Sequence, residues 1–215
     1  MELIIIRHGQ SHVNLGNWEQ LDTMDTQLTE LGQQQAAALR DWLTEQNPPA
    51  DALYASTMRR TRETAEYVSE ALGLAPIFDD RIREVGNSHH DGKPVDEEAL
   101  PRNYNSSPAS RTPFAPTVTD VDDAESWMHF RIRIGKFVHD IYDKHSDQTV
   151  YVVAHGGVIA GLFDLVFNVG VYRQCGVNTE NTGWARFEYH PDQSYTDWVL
   201  HDHNRIDHLV KAGLL

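Results

Sequence analysis

The sequence predicts an α/β protein: a three-layer α/β/α sandwich with a mostly parallel central sheet and a lid insertion. Three observations point there. Short continuous runs dominated by β-branched residues, such as residues 3–6 and 149–153, have the pattern of strands covered on both faces. Segments with apolar residues at helical spacing alternate with these runs. Residues 86–122 hold five of the nine prolines among Asn, Ser and Thr, and compact domains seldom carry so long an irregular segment without a use.

Element by element, residues 3–6 supply a central parallel strand. Thr29 caps a helix running to about Gln46, with Leu31, Ala38, Leu39, Trp42 and Leu43 at helical spacing, and Pro48-Pro49 stops it. Residues 51–55 are a second strand. Met58, Ala65, Val68 and Leu72 mark one face of the next helix, Gly73 ends it, and residues 75–78 are extended. Residues 79–85 lead out of the sheet into the Pro-rich segment. A long helix then covers about residues 123–144, with Trp127, Phe130, Ile134, Phe137, Val138 and Ile141 facing inward. Residues 149–153 form a buried strand, and His155-Gly156-Gly157 turns into a helix over about residues 158–167. Residues 183–189 and 197–200 read as final strands. The chain 1–215 is taken as one domain, with the lid at about residues 86–122.

Composition narrows the partners. A chain of 215 residues, 40% hydrophobic and 23% charged, is long enough to bury a core and is not a disordered or rod-like composition. Lys plus Arg number 18 against 32 Asp plus Glu, a net charge of -14, which argues against a general nucleic-acid coat or an anionic membrane surface as partner. An anionic ligand must therefore be held by a local cationic pocket. The single Cys175 rules out an internal disulfide and a zinc-type cysteine cluster, and fits a reducing, cytoplasmic location. The N-terminal apolar run ends at Arg7 and is too short for a signal-peptide core. Residues 150–171 are interrupted by His155, Gly156-Gly157, Asp164 and Asn168, and read as a buried strand and a core helix rather than a membrane span.

In open α/β sheets ligands bind beyond the carboxyl ends of the strands. Two predicted strands end there in histidine followed by glycine, as Arg7-His8-Gly9 and His155-Gly156-Gly157. A lone histidine is ordinarily a structural residue; two at equivalent strand ends indicate a site. Arg7 and the cluster Arg59-Arg60-Thr61-Arg62, at a helix start after a strand, complete the description of a phosphate pocket, because guanidinium groups offer paired donors and a helix start adds backbone N–H groups. Two of those three clustered arginines are expected on a solvated helix face. Glu84, between sheet and lid, is a candidate proton donor, although a lone Glu is usually surface charge. His201, His203 and His208 could ligate a metal, with His201 and His203 on one face of a strand, yet no carboxylate or cysteine pattern completes a set and a structural tail is the stronger reading. His89 and His90 are either substrate contacts or exposed loop residues. No Gly-x-Ser-x-Gly elbow, phosphate-binding loop or dinucleotide fingerprint is present.

At this point the chain resembles the histidine phosphatase superfamily, in the branch of cofactor-dependent phosphoglycerate mutases and broad-specificity phosphatases. The opening Ile4-Ile5-Ile6-Arg7-His8-Gly9-Gln10-Ser11-His12-Val13-Asn14 matches that family, as do Leu28-Thr29-Glu30-Leu31-Gly32 with Gln35-Ala36, and Tyr54-Ala55-Ser56 running on through Arg60 to Ala65. Arg81-Ile82-Arg83-Glu84-Val85 is similar to the segment with the family's acid, and Val152-Val153-Ala154-His155-Gly156-Gly157 to the segment with its second histidine. The resemblance implies a metal-independent phosphomonoesterase without cofactor, acting on a small-molecule phosphate ester. His8 would be the nucleophile that becomes phosphohistidine; Arg7, Asn14, Arg60, His155 and Gly156 would surround the phosphoryl group; Glu84 would serve as acid and then base.

Departures from the family pattern bear on the substrate. Where many family phosphatases carry Gly-x-Trp-Glu-Gly-Lys after the acid, this chain has Ser88, His90 and Asp91 before Gly92-Lys93. The mutases' Phe-Thr-Gly-Trp stretch is missing, and instead of their lid Arg-Arg pair the lid's only arginines are Arg102 and Arg111. The rival readings are a cofactor-dependent phosphoglycerate mutase, which those absences disfavour, and a non-catalytic phospho-ligand-binding protein, which the full residue set disfavours.

Overall fold

The computed structural model describes residues 1–17, 20–21, 23–87, 112–118, 124–173, 175–191 and 197–215. Strands β1 (Glu2–Arg7), β2 (Ala52–Ser56), β3 (Ile77–Asp79), β4 (Thr149–Ala154), β5 (Trp184–Tyr189) and β6 (Trp198–Arg205) form one sheet in the order β3-β2-β4-β1-β5-β6. The first four are mutually parallel, β5 is antiparallel to β1, and β6 is antiparallel to β5. Helices α1 (Glu30–Gln46) and α2 (Arg59–Leu72) pack together on one face; α3 (Trp127–Lys144) and α4 (Gly156–Val166) cover the other. A short α5 (Asp207–Ala212) packs on α1. The α/β/α expectation with a mostly parallel sheet holds.

The continuous apolar runs of the inner strands split by the two-residue period of a strand. In β1, Leu3 and Ile5 join the core under α3 and α4, whereas Ile4 and Ile6 join the core under α1 and α2. In β4, Val150, Val152 and Ala154 divide from Tyr151 and Val153 in the same way, and in β2, Ala52 and Tyr54 divide from Leu53 and Ala55. Burial on both faces is why these runs carry no polar alternation.

Several boundaries differ from expectation. Thr29 caps α1 as predicted, its hydroxyl accepting from the Gly32 N–H, but Leu31 is exposed: the buried stripe is Gly32, Gln35, Ala36, Leu39 and Leu43. The long helix starts at Trp127 rather than residue 123, because Ser126 caps it and Thr117 N–H holds the Glu125 carbonyl in an extended approach. All six apolar residues predicted on its inner face are buried. Helix α4 begins at Gly156 rather than residue 158: His155 takes the extended N-cap conformation, so both glycines fall in the first turn. Strand β6 runs five residues past residue 200, and α5 was not foreseen. Among the described residues no helix is long and apolar enough to cross a membrane. Most of the expected lid, including Ser88, His89, His90, Asp91, Gly92, Lys93, Arg102 and Arg111, lies outside the described residues.

The three tail histidines serve the structure. His201 pairs with Glu188, His203 Nε2 lies 3.2 Å from Thr179 Oγ1, and His208 Nε2 lies 2.8 Å from Thr182 Oγ1. Burial pulls the pKa of His208 from 6.5 to about 4, so between those values the unfolded chain takes up a proton that the folded chain refuses. The resulting stability is present above pH 6.5 and is lost as pH falls toward 4, by an amount of the order of 3 kcal/mol. Melting temperature should therefore fall across this window, and the slope should flatten in His208→Gln; an equal slope in both proteins would remove His208 as its source.

Candidate active site

Three parallel strands deliver the predicted residues to one edge of the sheet. The β1–β4 register pairs Arg7 with Ala154, so the next residues, His8 and His155, emerge side by side, and His8 N–H donates to the Ala154 carbonyl at 3.0 Å. Their rings meet edge to face, with centroids 5.2 Å apart. On the other side of β4, β2 ends at Ser56, and the first turn of α2 swings Arg60 back over the strand ends.

Geometry sets the tautomer of His8. Nδ1 lies 2.6 Å from the Gly9 carbonyl, which can only accept, so Nδ1 carries the proton and Nε2 keeps a lone pair. Arg60 Nε–H donates to that Nε2 at 3.1 Å. Burial, then the charges of Arg60 and Arg7, hold the His8 pKa well below its ordinary value, so the ring is neutral at physiological pH. His155 is likewise held well below, by burial first and Arg60 second. Its Nε2 lies 2.9 Å from Ser56 Oγ; that oxygen also accepts from Met58 N–H, while His155 Nδ1 is buried without a hydrogen-bond partner.

The cleft has a volume of about 470 Å³. Arg7, His8, Asn14, Arg60, Glu84 and Gly156 all line it; His155 alone of the predicted set does not, sitting fully buried against His8. Arg60 is fixed by the Met24 carbonyl at 2.9 Å, and Arg7 Nη1 by the Thr179 carbonyl at 2.6 Å. Asn14 Oδ1 accepts from the Ser11 amide and hydroxyl, which turns its NH2 into the available donor. Arg59 and Arg62 point elsewhere, onto Glu63 and the Thr57 carbonyl, as expected for two of the three clustered arginines. In a chain of net charge -14, the cleft is a local concentration of cations.

Glu84 reaches the cleft through α4. Its Oε2 accepts from the Gly157 N–H at 3.1 Å and its Oε1 from the Val85 N–H at 2.9 Å. A Cβ on Gly157 would stand 2.0 Å from Glu84 Oε1, so only glycine lets the carboxylate dock on the helix start. Gly157→Ala should thus displace Glu84 and slow cleavage of alkyl phosphates by about 10²-fold or more while the protein still folds; unchanged alkyl-ester rates would show that the docking is irrelevant.

Sequence reasoning missed the supporting shell. Arg133 on α3 donates to the carbonyls of Arg81, Arg83 and Glu84 and pairs in the interior with Glu125, which in turn accepts from the Gly86 N–H. This buried pair fixes the segment that carries Glu84. Its signal was a charged residue beside Phe130, Ile134 and Phe137 on a buried helix face, where a charge must be paired. Asn181 Nδ2 donates to the His8 carbonyl, and Thr182 N–H to the carbonyls of Arg7 and His8. Nothing local in the 178–183 loop announces this, because the contact joins residues about 170 positions apart.

The profile of the histidine phosphatase superfamily (branch 1) matches residues 3–203. The chain belongs to that superfamily. Phosphoserine phosphatase 1 of Hydrogenobacter thermophilus is 27% identical over 188 residues, covering 86% of this chain and 85% of its own. Phosphoglycerate mutase-like protein 4 of Arabidopsis thaliana is 29% identical over 218 residues, covering 100% of this chain and 89% of its own. Among solved structures, a mycobacterial glucosyl-3-phosphoglycerate phosphatase complexed with VO3 superposes with a TM-score of 0.69 at 26% identity, covering 94% of this chain and 98% of that one. This histidine phosphatase is accordingly an enzyme that acts on small phosphate esters.

Proposed function

We propose a metal-independent phosphomonoesterase that works through a phosphohistidine on His8. The observation that carries this reading is the His8 ring, locked by Gly9 with an unprotonated Nε2 beside Arg60 in a cationic cleft. An arriving phosphate is a stronger, charged acceptor for the Arg60 N–H than the imidazole is, so binding draws Arg60 onto phosphoryl oxygens and releases the Nε2 lone pair. Nε2 then attacks phosphorus in line, the bond to the ester oxygen breaks, and Glu84 gives that oxygen its proton. Water next attacks phosphorus, Glu84 takes its proton, the P–N bond breaks, and phosphate leaves. Arg7, Arg60, Asn14 and the Gly156 end of α4 supply donors to the transferring group, with His155 behind His8. The positive charge that such a transfer needs is thus available from guanidinium groups.

The same reading takes residues 1–215 as one domain, makes residues 86–122 a lid over the cleft, and places the protein in the cytoplasm, with the single Cys175 in support. The relatives named for phosphoserine and glucosyl-3-phosphoglycerate favour a small phosphorylated metabolite as substrate over a phosphoprotein. Rapid quenching after addition of p-nitrophenyl phosphate should trap an acid-labile, base-stable phosphoenzyme. Chelator should leave turnover unchanged, and vanadate should inhibit it. Strict dependence on an added divalent ion, or no phosphoenzyme, would overturn the reading; transfer of the phosphoryl group to a second hydroxyl acid instead of water would favour the mutase.

A further inference from the structure

One face of α4 forms a continuous floor from the phosphoryl cluster outward: Gly156, Gly157 and Ala160 line the cleft, and Asp164 follows one turn on. Asp164 stands about 12 Å along the helix from Gly156, at 1.5 Å per residue. There a third guanidinium lines the cleft, that of Arg173. Its Nε is 3.3 Å from Asp164 Oδ1, and its plane stands over the Trp127 ring at 5.1 Å. Trp127 is itself fixed, its Nε1–H donating to Asp164 Oδ2 at 3.1 Å. Arg173 is thus oriented by a carboxylate and an aromatic face, yet its Nη2 is buried without a hydrogen-bond partner. A buried donor left unmet is costly, and a guanidinium fork answers it best with a planar anion.

We propose that Arg173 selects the substrate by binding a carboxylate on the leaving group of the ester. The inference rests on the phosphomonoesterase reading above and adds the chemical class of its substrate. Local charge decides between a carboxylate and a second phosphate. Arg173 pairs with the carboxylate of Asp164, and Arg131, whose Nη groups are spent on the backbone carbonyls of Asp164, Val169 and Gly170, brings a second positive charge close to that pair. One positive charge remains, which matches a monoanion, whereas a dianion beside Asp164 would be under-compensated.

The test compares O-phosphoserine with phosphoethanolamine, the same ester without the carboxylate. In the wild-type enzyme kcat/KM should favour phosphoserine by about 10- to 100-fold, the range of a charge-assisted hydrogen bond. In Arg173→Gln that ratio should collapse to near one, and Arg173→Lys, which keeps the charge but not the fork, should give an intermediate ratio. A wild-type ratio near one, a ratio unchanged in either folded variant, or a preference for bisphosphorylated esters over carboxylated ones would overturn the proposal. The wild-type ratio and the lysine variant keep it falsifiable if the glutamine variant does not fold. A wild-type enzyme that forms no phosphoenzyme from p-nitrophenyl phosphate would instead overturn the underlying function.

Discussion

His8→Ala should lower turnover of every phosphate ester by at least about 10³-fold, with the chain still folded. On the proposed mechanism imidazole removal deletes the nucleophile itself, so the loss should be the same for activated and unactivated esters and should extend to formation of the phosphoenzyme. The substitution also empties a site that is 2% exposed and deprives Arg60 Nε of one acceptor, at a cost of about 1–3 kcal/mol. That is affordable for a domain of typical stability, because the strand end is held by main-chain bonds from His8 N to Ala154 O and from Thr182 N to Arg7 O, which the substitution leaves in place. Rapid-quench phosphorylation and a thermal melt separate the two effects. Retention of more than a few per cent of activity in the folded variant would rule out a covalent intermediate on His8.

Glu84→Gln should slow phosphorylation by alkyl phosphates by about 10²- to 10⁴-fold, roughly 3 to 5 kcal/mol of barrier, and by p-nitrophenyl phosphate far less. The nitrophenolate departs without a proton; an alkoxide does not. The glutamine amide oxygen can replace only one of the two carboxylate oxygens that accept from the Gly157 and Val85 N–H groups, but any loss of docking is common to both esters, so the contrast between them reports proton transfer. Equal losses on both esters in single-turnover phosphorylation of His8 would assign Glu84 a binding or structural part and move proton delivery to another residue.

The inner strands and the long helices were legible because each obeys one period over many residues. Residues 3–6 and 150–153 are hydrophobic at every position, and α3 repeats its apolar stripe from Trp127 to Ile141. Strand β6 was cut short because Trp198–Arg205 lies at the sheet edge, where His201, Asp202, His203 and Asn204 meet partners on one side only and no apolar alternation develops. The six residues of α5 are too few for a helical period to declare itself, and their place is decided by His208 and Leu209 docking against the body.

The sequence by itself determined the α/β class and the strand ends that carry His8 and His155. Those features follow from local pattern: hydrophobic period, helix starts, and histidine followed by glycine where a parallel strand must stop. Only the tertiary structure decided which nitrogen of His8 is available, that Glu84 docks on the first turn of α4 through a glycine, and that Arg133 with Glu125 anchors its segment. It also brought Arg173, Asp164 and Trp127 together in the same cleft. Each of these depends on contacts between residues from different elements, and those contacts set the directions of the side chains. A linear pattern carries no distance between such residues, so the charge balance of the cleft emerges only when the sheet has aligned its strand ends.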